Sequence, residues 1–406
     1  MTGKPIPASG MAGGESGALG VLLLVVFINI AGFGIVIPLL PFYAETFGIS
    51  AWQVTLLFSV YSIGQFLGEP FWGRLSDRIG RRPVLLMTMA AIAVGYVLLA
   101  FVPNYHAAVL LRLVSGFAGG NISVSQAYIA DISPPEKRVA RLGLLGAAFG
   151  VGFMVGPALG GLLVDVHAGS AGFRLPMLAA AGMSLLSVVG IVILLRESRH
   201  VGEVGGTPSA AWRMAWHHPV LRQVLITTLA ATGALSAMES IYGLWTAAKF
   251  GWGPHEVGLT FALIGALSAL SQGLLVGRVT SLIGEANALA LGLFLTGVSL
   301  LAQVFAPSGT VLVVITVLTV VGISLTNPAI SGLISRSTAQ DHQGAMLGVN
   351  GGVSAFARIS GPLVAGALFS GVGIDAPYIF ASAGVFVAVI LALHAGRLVR
   401  RGTPLA

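Results

Sequence analysis

Four ionisable residues of this chain lie inside otherwise apolar stretches: Arg112, Glu239, Arg358 and, nearer the end of its stretch, Glu69. Such a group costs about 2.5–3.5 kcal/mol at mid-membrane on insertion scales, so it persists chiefly where it has a partner or a task. Glu239 stands in Ser236-Ala237-Met238-Glu239-Ser240-Ile241-Tyr242, far from either flanking loop. Apolar surroundings disfavour an ionised carboxylate and let the group load and unload a proton. Glu239 therefore reads as a proton carrier or a ligand for a substrate cation; the alternative is a fixed ion pair with Arg358. Arg112 lies some five residues inside its stretch, roughly 8 Å deep at 1.5 Å per residue. A guanidinium does not deprotonate in practice, so Arg112 either anchors helices by hydrogen bonds or tunes a nearby carboxyl group. Glu69, one helical turn before Gly73, pairs with the arginines that follow it or takes part in proton coupling.

Polar side chains expected to face a central cavity are Asn29, Tyr61, Gln65, Asn121, Gln126, Gln272, Asn327 and Asn350, with Phe33, Tyr242, Trp245 and Phe356 as aromatic candidates. Aromatic faces combined with a few polar groups and one acid suit an amphipathic, often cationic, small molecule. Packing or lipid contact is the competing role for each aromatic taken singly.

Composition dictates what must position these residues. The chain of 406 residues is 56% hydrophobic and 9% charged, against roughly 25% charged in soluble proteins. Lipid must be its solvent. With no cysteine, disulfides and thiolate metal sites are excluded. The run after residue 18 is too long for a cleaved signal core and reads as a first membrane helix. Segments of about 20 apolar residues are long enough to span a bilayer. Twelve fall near 19–44, 52–73, 84–102, 107–130, 140–164, 173–195, 221–248, 256–277, 287–306, 310–334, 343–370 and 376–396. Linkers after even-numbered helices are basic, and those after odd-numbered helices nearly chargeless. Seventeen Lys/Arg fall on the side of both termini and two, Arg174 and Lys249, on the other. The positive-inside rule then makes both termini cytoplasmic. The basic pI of about 10.1 is thus topological and implies no nucleic acid.

The polar stretch 196–220, with His217-His218-Pro219, reads as a solvated linker dividing residues 19–195 from 221–396, with tails 1–18 and 397–406. A shift of 204 places Gly73-Arg74 on Gly277-Arg278 and Gly80 on Gly284, and a shift of 205 places Gly146–Gly161 on Gly351–Gly366. The expected architecture is an all-α membrane protein, twelve transmembrane helices in two pseudo-symmetric six-helix bundles, the parallel-repeat form of a secondary transporter.

Between helices 2 and 3 the chain reads Gly73-x3-Asp77-x2-Gly80-Arg81-Arg82, expected as a tight charged loop. Helix 5 carries Gly146, Gly150, Gly156-Pro157 and Gly160-Gly161; helix 1 carries Gly32-Phe33-Gly34 ahead of Pro38 and Pro41; helix 4 carries Arg112 and Gly116, then Ala127-Tyr128-Ile129-Ala130-Asp131-Ile132. These features resemble the twelve-helix drug:proton antiporter branch of the major facilitator superfamily, most of all the tetracycline exporters. The resemblance covers nearly the whole chain. It implies that Gly73, Asp77, Arg78, Gly80, Arg81 and Arg82, with Asp131, form a conformational latch, and that helix 5 seals the interface between halves against proton leak. Asp77 is expected to engage arginines and a facing helix N-terminus in the other half. The tetracycline exporters usually carry an aspartate where Asn29 stands here, and a neutral amide cannot carry a proton.

The expected function is proton-coupled export of amphipathic drugs by a monomer in the bacterial inner membrane, with protons as coupling ion and no cofactor or metal. The alternative within transport is a carrier for a sugar, organic acid or lipid precursor. No phosphate-binding loop or nucleophile set points to an enzyme or an ATP-driven pump.

Overall fold

The computed structural model describes residues 12–198, 208–339 and 342–401. Among these, twelve long helices carry the fold. We number them α1 (Ala12–Val36), α2 (Ala51–Ile79), α3 (Arg81–Ala100), α4 (Tyr105–Asp131), α5 (Pro135–Leu163), α6 (Arg174–Leu194), α7 (Pro219–Phe250), α8 (Pro254–Ile283), α9 (Glu285–Val304), α10 (Gly309–Arg336), α11 (Gln343–Gly371) and α12 (Ala376–Arg400). Eleven are long and apolar enough to cross a membrane by composition alone. The twelfth, α2, carries Gln53, Gln65, Glu69, Arg74 and Asp77 and takes its place by packing. Its Gly64 and Gly68 lie so close to the α4 backbone at Leu113 and Phe117 that a Cβ would overlap it. Small residues of this kind let membrane helices approach without a hydrophobic driving force.

Two sequence expectations are corrected. The stretch 73–82 is not a ten-residue loop: α2 stays helical through Ile79, and Gly80 alone makes the turn, with φ +105°. Gly284 repeats it at φ +78° between α8 and α9, so the duplicated feature is a one-glycine corner in a conformation that L side chains resist. The linker is also not wholly irregular, because Pro208–His217 forms a helix before α7.

The halves touch along two pairs of helices, α5 with α8 and α2 with α11, and the contacts are related by the internal repeat. Gly161 of α5 sits on Pro254 and Gly258 of α8, while its counterpart Gly366 of α11 sits on Trp52 and Thr55 of α2. Ser59 Oγ donates across the second seam to the Ile359 carbonyl at 2.8 Å. At the opposite, basic end an added Cβ at Gly146, Gly273, Gly277, Gly344, Gly348 or Gly351 has no neighbour within 4 Å among the described residues. The bundles therefore close at the face away from the basic linkers and part towards it.

This geometry makes Gly265 a sensitive position, because a Cβ there would stand 2.5 Å from the Met154 backbone nitrogen. Gly265→Leu should prise the closed seam apart and draw the basic ends together. Spin labels at Arg74 and Arg278, exposed equivalents in the two halves, should then shift to shorter distances in double electron–electron resonance. An unchanged distribution would refute the seam as the determinant of this state.

Candidate functional site

A cavity at the seam between the halves and a second one within the second half adjoin as two lobes that share Leu235 and Glu239 of α7 and Ile323 of α10. One, of about 260 Å³, is apolar: Phe149 and Phe153 of α5, Met238 of α7 and Phe261 of α8 face Thr316 and Thr319 of α10, with Gln272 at its edge. Gln272 opens a π turn, Gln272–Val276, in α8, a device that redirects side chains at functional positions. The other lobe, of about 300 Å³, is polar, with Ser236, Thr296, Asn327, Ser354 and Arg358 around it. Glu239 stands where they meet. Its carboxylate and the Arg358 guanidinium line one lobe without closing to an ion pair of 4.0 Å or less among the described residues, so the fixed-pair alternative is not the arrangement seen.

Arg112 enters from the first half. It is 3% exposed, its Nε donates to the Leu57 carbonyl at 3.3 Å, and its guanidinium lies 4.3 Å from the Tyr61 ring centre. Among the described residues no carboxylate forms an ion pair with it; the ring face and a carbonyl hold it. Tyr61 contacts Phe33 at 5.4 Å between centroids and Phe33 contacts Phe153 at 6.1 Å, so an aromatic path runs from Arg112 to the apolar lobe. Glu69 itself is half-buried and pairs with none of the arginines at 74, 78, 81 or 82.

Several expected cavity residues lie elsewhere. Trp245 is fully buried; its Nε1 donates to Asp375 at 2.8 Å and its ring stacks on Tyr378 at 4.3 Å, with Lys249 bonded to the same carboxylate. That cluster ties α7 to α12 at the closed face. Asn121 is buried and donates to Thr88 Oγ1 at 2.9 Å, joining α4 to α3. Phe356 is 59% exposed on the outer face of α11. Asn350 accepts from Thr228 at 2.8 Å and links α11 to α7. Tyr242 forms a second layer behind Phe261, at 5.5 Å. Gln126 is exposed, Gln65 half-buried, and Asn29 half-buried one turn before Phe33. Phe149 and Phe153 went unread in the sequence, although their spacing of four places both on one face of α5.

The glycines of α5 divide by face. Gly156 abuts Ala31 and Gly34 of α1, and Gly160 abuts Ile35. Gly150 meets Ala269 of α8, Pro157 meets Gly258 through its carbonyl, and Gly146 faces the apolar lobe. One helix thus packs both within its half and across the seam.

At the basic face Arg81 binds three groups: Ser76 Oγ at 2.6 Å, Asp77 at 2.5 Å and Asp131 at 3.1 Å. Glu197 accepts from the backbone N–H groups of Arg81 and Arg82 at 2.8 and 3.2 Å, and Arg82 donates to the Val192 carbonyl at 2.7 Å. Asp77 engages its own half here; the expected contact with a facing helix is not made in this open arrangement. Arg78 is exposed and Gly73 approaches only Ser123. The second half carries the counterpart with its charges exchanged: Glu285, equivalent to Arg81, binds Arg336, equivalent to Asp131, at 2.7 Å.

A two-bundle helical fold with a charged cavity at the seam, closed at one face and open at the other, defines a membrane carrier. Residues 22–247 and 228–404 each match the Major Facilitator Superfamily, and the chain belongs to that family. It is 32% identical over 369 residues to the tetracycline resistance protein, class C, of Escherichia coli, covering 88% of this chain and 90% of that one. It is 28% identical over 386 residues to the quinolone resistance protein NorA of Staphylococcus aureus (strain Mu50 / ATCC 700699), covering 93% and 97%. The fold resembles the human organic anion transporter MFSD10 (TETRAN), with TM-score 0.71, 24% identity and 93% and 99% coverage. It also resembles the nucleoside transporter NupG, with TM-score 0.77, 14% identity and the same coverage.

The two charge clasps differ in burial, and this sets their contributions. The Arg81 and Asp131 side chains are 11% and 16% exposed, whereas Arg336 is 66% exposed. Arg81→Ala should cost on the order of 1–3 kcal/mol through its stranded partners. Arg336→Ala should stay within about 1 kcal/mol, as exposed pairs do. Thermal melting in detergent measures both, and equal shifts would refute the ranking.

Proposed function

We propose that this protein exports amphipathic drugs, by alternating access, in exchange for protons entering the cell. The observation that carries the reading is Glu239, standing unpaired between an apolar lobe lined by phenylalanines and a polar lobe holding Arg358. The apolar lobe accepts the body of an amphipathic molecule, and the carboxylate accepts its cationic group or, when the site is empty, a proton. Substrate and proton then compete for one site, which is the requirement for antiport. Curated relatives named for tetracycline and quinolone resistance support drugs over a metabolite as cargo.

The positive-inside count orients the basic linkers to the cytoplasm, which makes the arrangement seen here inward-open. The arginine-rich corner at Gly80–Arg82 is then the cytoplasmic latch: when the halves swing to close that face, Asp77, the more exposed acid of the clasp at 53%, meets the second half. With Asn29 neutral, Glu239 is the carboxylate that lines the cavity, and Glu69 of α2 lies outside both lobes. A driving force of about 150 mV supplies roughly 3.5 kcal/mol per proton. That sustains a gradient of a few hundredfold, since each 1.4 kcal/mol is tenfold. The carrier acts as a monomer in the bacterial inner membrane and uses no cofactor.

Glu239→Gln removes the titratable oxygen and keeps the shape. Proton-driven uptake of a cationic drug into inverted vesicles should fall at least about tenfold, in line with loss of a proton-transfer group. Energy-independent counterflow of an uncharged drug, which does not need the carboxylate, should persist. Uptake that stays sensitive to an uncoupler and of normal rate would eliminate Glu239 as the carrier. Asp77→Asn should leave substrate binding intact and slow turnover; unchanged transport would reduce the corner to an orientation signal.

A further inference from the structure

We infer that the helix Pro208–His217 is a membrane-surface anchor, seated in the lipid headgroup layer on the basic face and clipped to the second half. The helix lies outside the cavity and has no part in the chemistry proposed for it. Its exposed residues are Trp212 at 44%, Trp216 at 56%, Arg213 and His217, while Ala215 is fully buried and Met214 half-buried. At roughly 100° per residue, Trp212 and Trp216 share one edge of the exposed arc, Arg213 and His217 form the other, and Met214 and Ala215 point to the protein. The exposed arc is therefore itself divided into an apolar edge and a cationic edge.

Water alone does not account for two exposed indoles. Tryptophan prefers the membrane interface, where its ring is half in hydrocarbon and its N–H meets polar groups. A guanidinium beside it reaches lipid phosphates. The position agrees: His218 and Pro219 join this helix directly to α7, with the Leu221 N–H donating to His218 Nδ1 at 3.4 Å. The helix thus ends where a membrane span begins. It is held on its inner side by α11, against which it packs, with the Trp212 ring in ordinary contact distance, 3.5 Å, of a Cβ placed on Gly352. Glycines of α11 at 344, 348 and 351 are free of neighbours, so the segment gripped by the anchor is also the one that borders the open mouth. The anchor holds the mouth's second-half edge at the membrane surface.

The chain has no cysteine, so single spin labels can be placed without background. In lipid nanodiscs containing phosphatidylglycerol, labels at Trp216→Cys and Arg213→Cys are compared with two references. Leu186→Cys lies on the exposed side of α6, and Ser170→Cys is exposed in the 3-10 segment before it. Collision rates with oxygen and with a water-soluble nickel chelate are measured for each. The expected result is an oxygen-to-nickel ratio at Trp216 several-fold above that of Ser170 and below that of the mid-bilayer Leu186, with Arg213 between Trp216 and Ser170. Ratios at both anchor positions equal to that of Ser170 would overturn the proposal, since the helix would then face water. Both labelled positions are exposed, so folding of either variant suffices to decide the question.

Discussion

The constraint on which the rest depends is the cost of charge away from water. Arg112, Glu239 and Arg358 cannot be left in lipid, so the two bundles are built to enclose them around a shared space. Arg112 is accommodated by a ring face and a carbonyl, Arg358 by a polar lobe, and Glu239 by neither fully. Two well-held cations and one loosely held acid make an arrangement in which the acid is the element free to change. The glycine seams serve the same end: by letting backbones touch at one face, they concentrate the open space, and with it solvation, at the other.

Much of this was legible in the sequence because lipid simplifies the code. Span number, the internal repeat and the basic face followed from apolar run length and loop charge, which the bilayer enforces directly. The acid at Glu239 and the arginines at 112 and 358 were visible because they stand well inside their stretches, where the only other charge is Arg222 at the edge of 221–248. What stayed hidden was direction. Inside a membrane protein apolar residues face both lipid and core, so periodicity does not separate the exposed Phe356 from the cavity-lining Phe153. Trp245 was taken for a ligand contact because its partner, Asp375, lies 130 residues away. The run 73–82 was taken for a loop on its charge, when helix α2 carries that charge on its final turns as it leaves the membrane.

The repeat places equivalent residues in equivalent corners and then uses them differently. In the first half Arg81 stands at the start of α3 and Asp131 at the end of α4, each unfavourable with respect to its helix dipole. Glu197 sets its carboxylate against the two N–H groups that Arg81 and Arg82 expose there and offsets the first of these terms. In the second half Glu285 begins α9 and Arg336 ends α10, so both charges agree with the dipoles. One corner is electrostatically satisfied by two residues; the other adds a third, Glu197, just past the end of α6, and a fourth, Asp77.

That difference assigns labour to the halves. A clasp whose charges agree with their helices has no reason to open, and the corner at Gly284 joins α8 to α9 with Ser281 where Asp77 would stand. The corner at Gly80 is held by more partners, each replaceable, which is the condition for a contact that must be made and broken as the bundles move. The cavity is divided in the opposite sense: its acid, its polar lobe and most of its wall come from the second half, while the first contributes Gly146, Phe149, Gly150 and Phe153, with Phe33, Tyr61 and Arg112 behind them. In the function proposed above, the duplicated unit keeps the movable corner in its first copy and the carboxylate at Glu239 in its second, and the packed seams at α5–α8 and α2–α11 join the two.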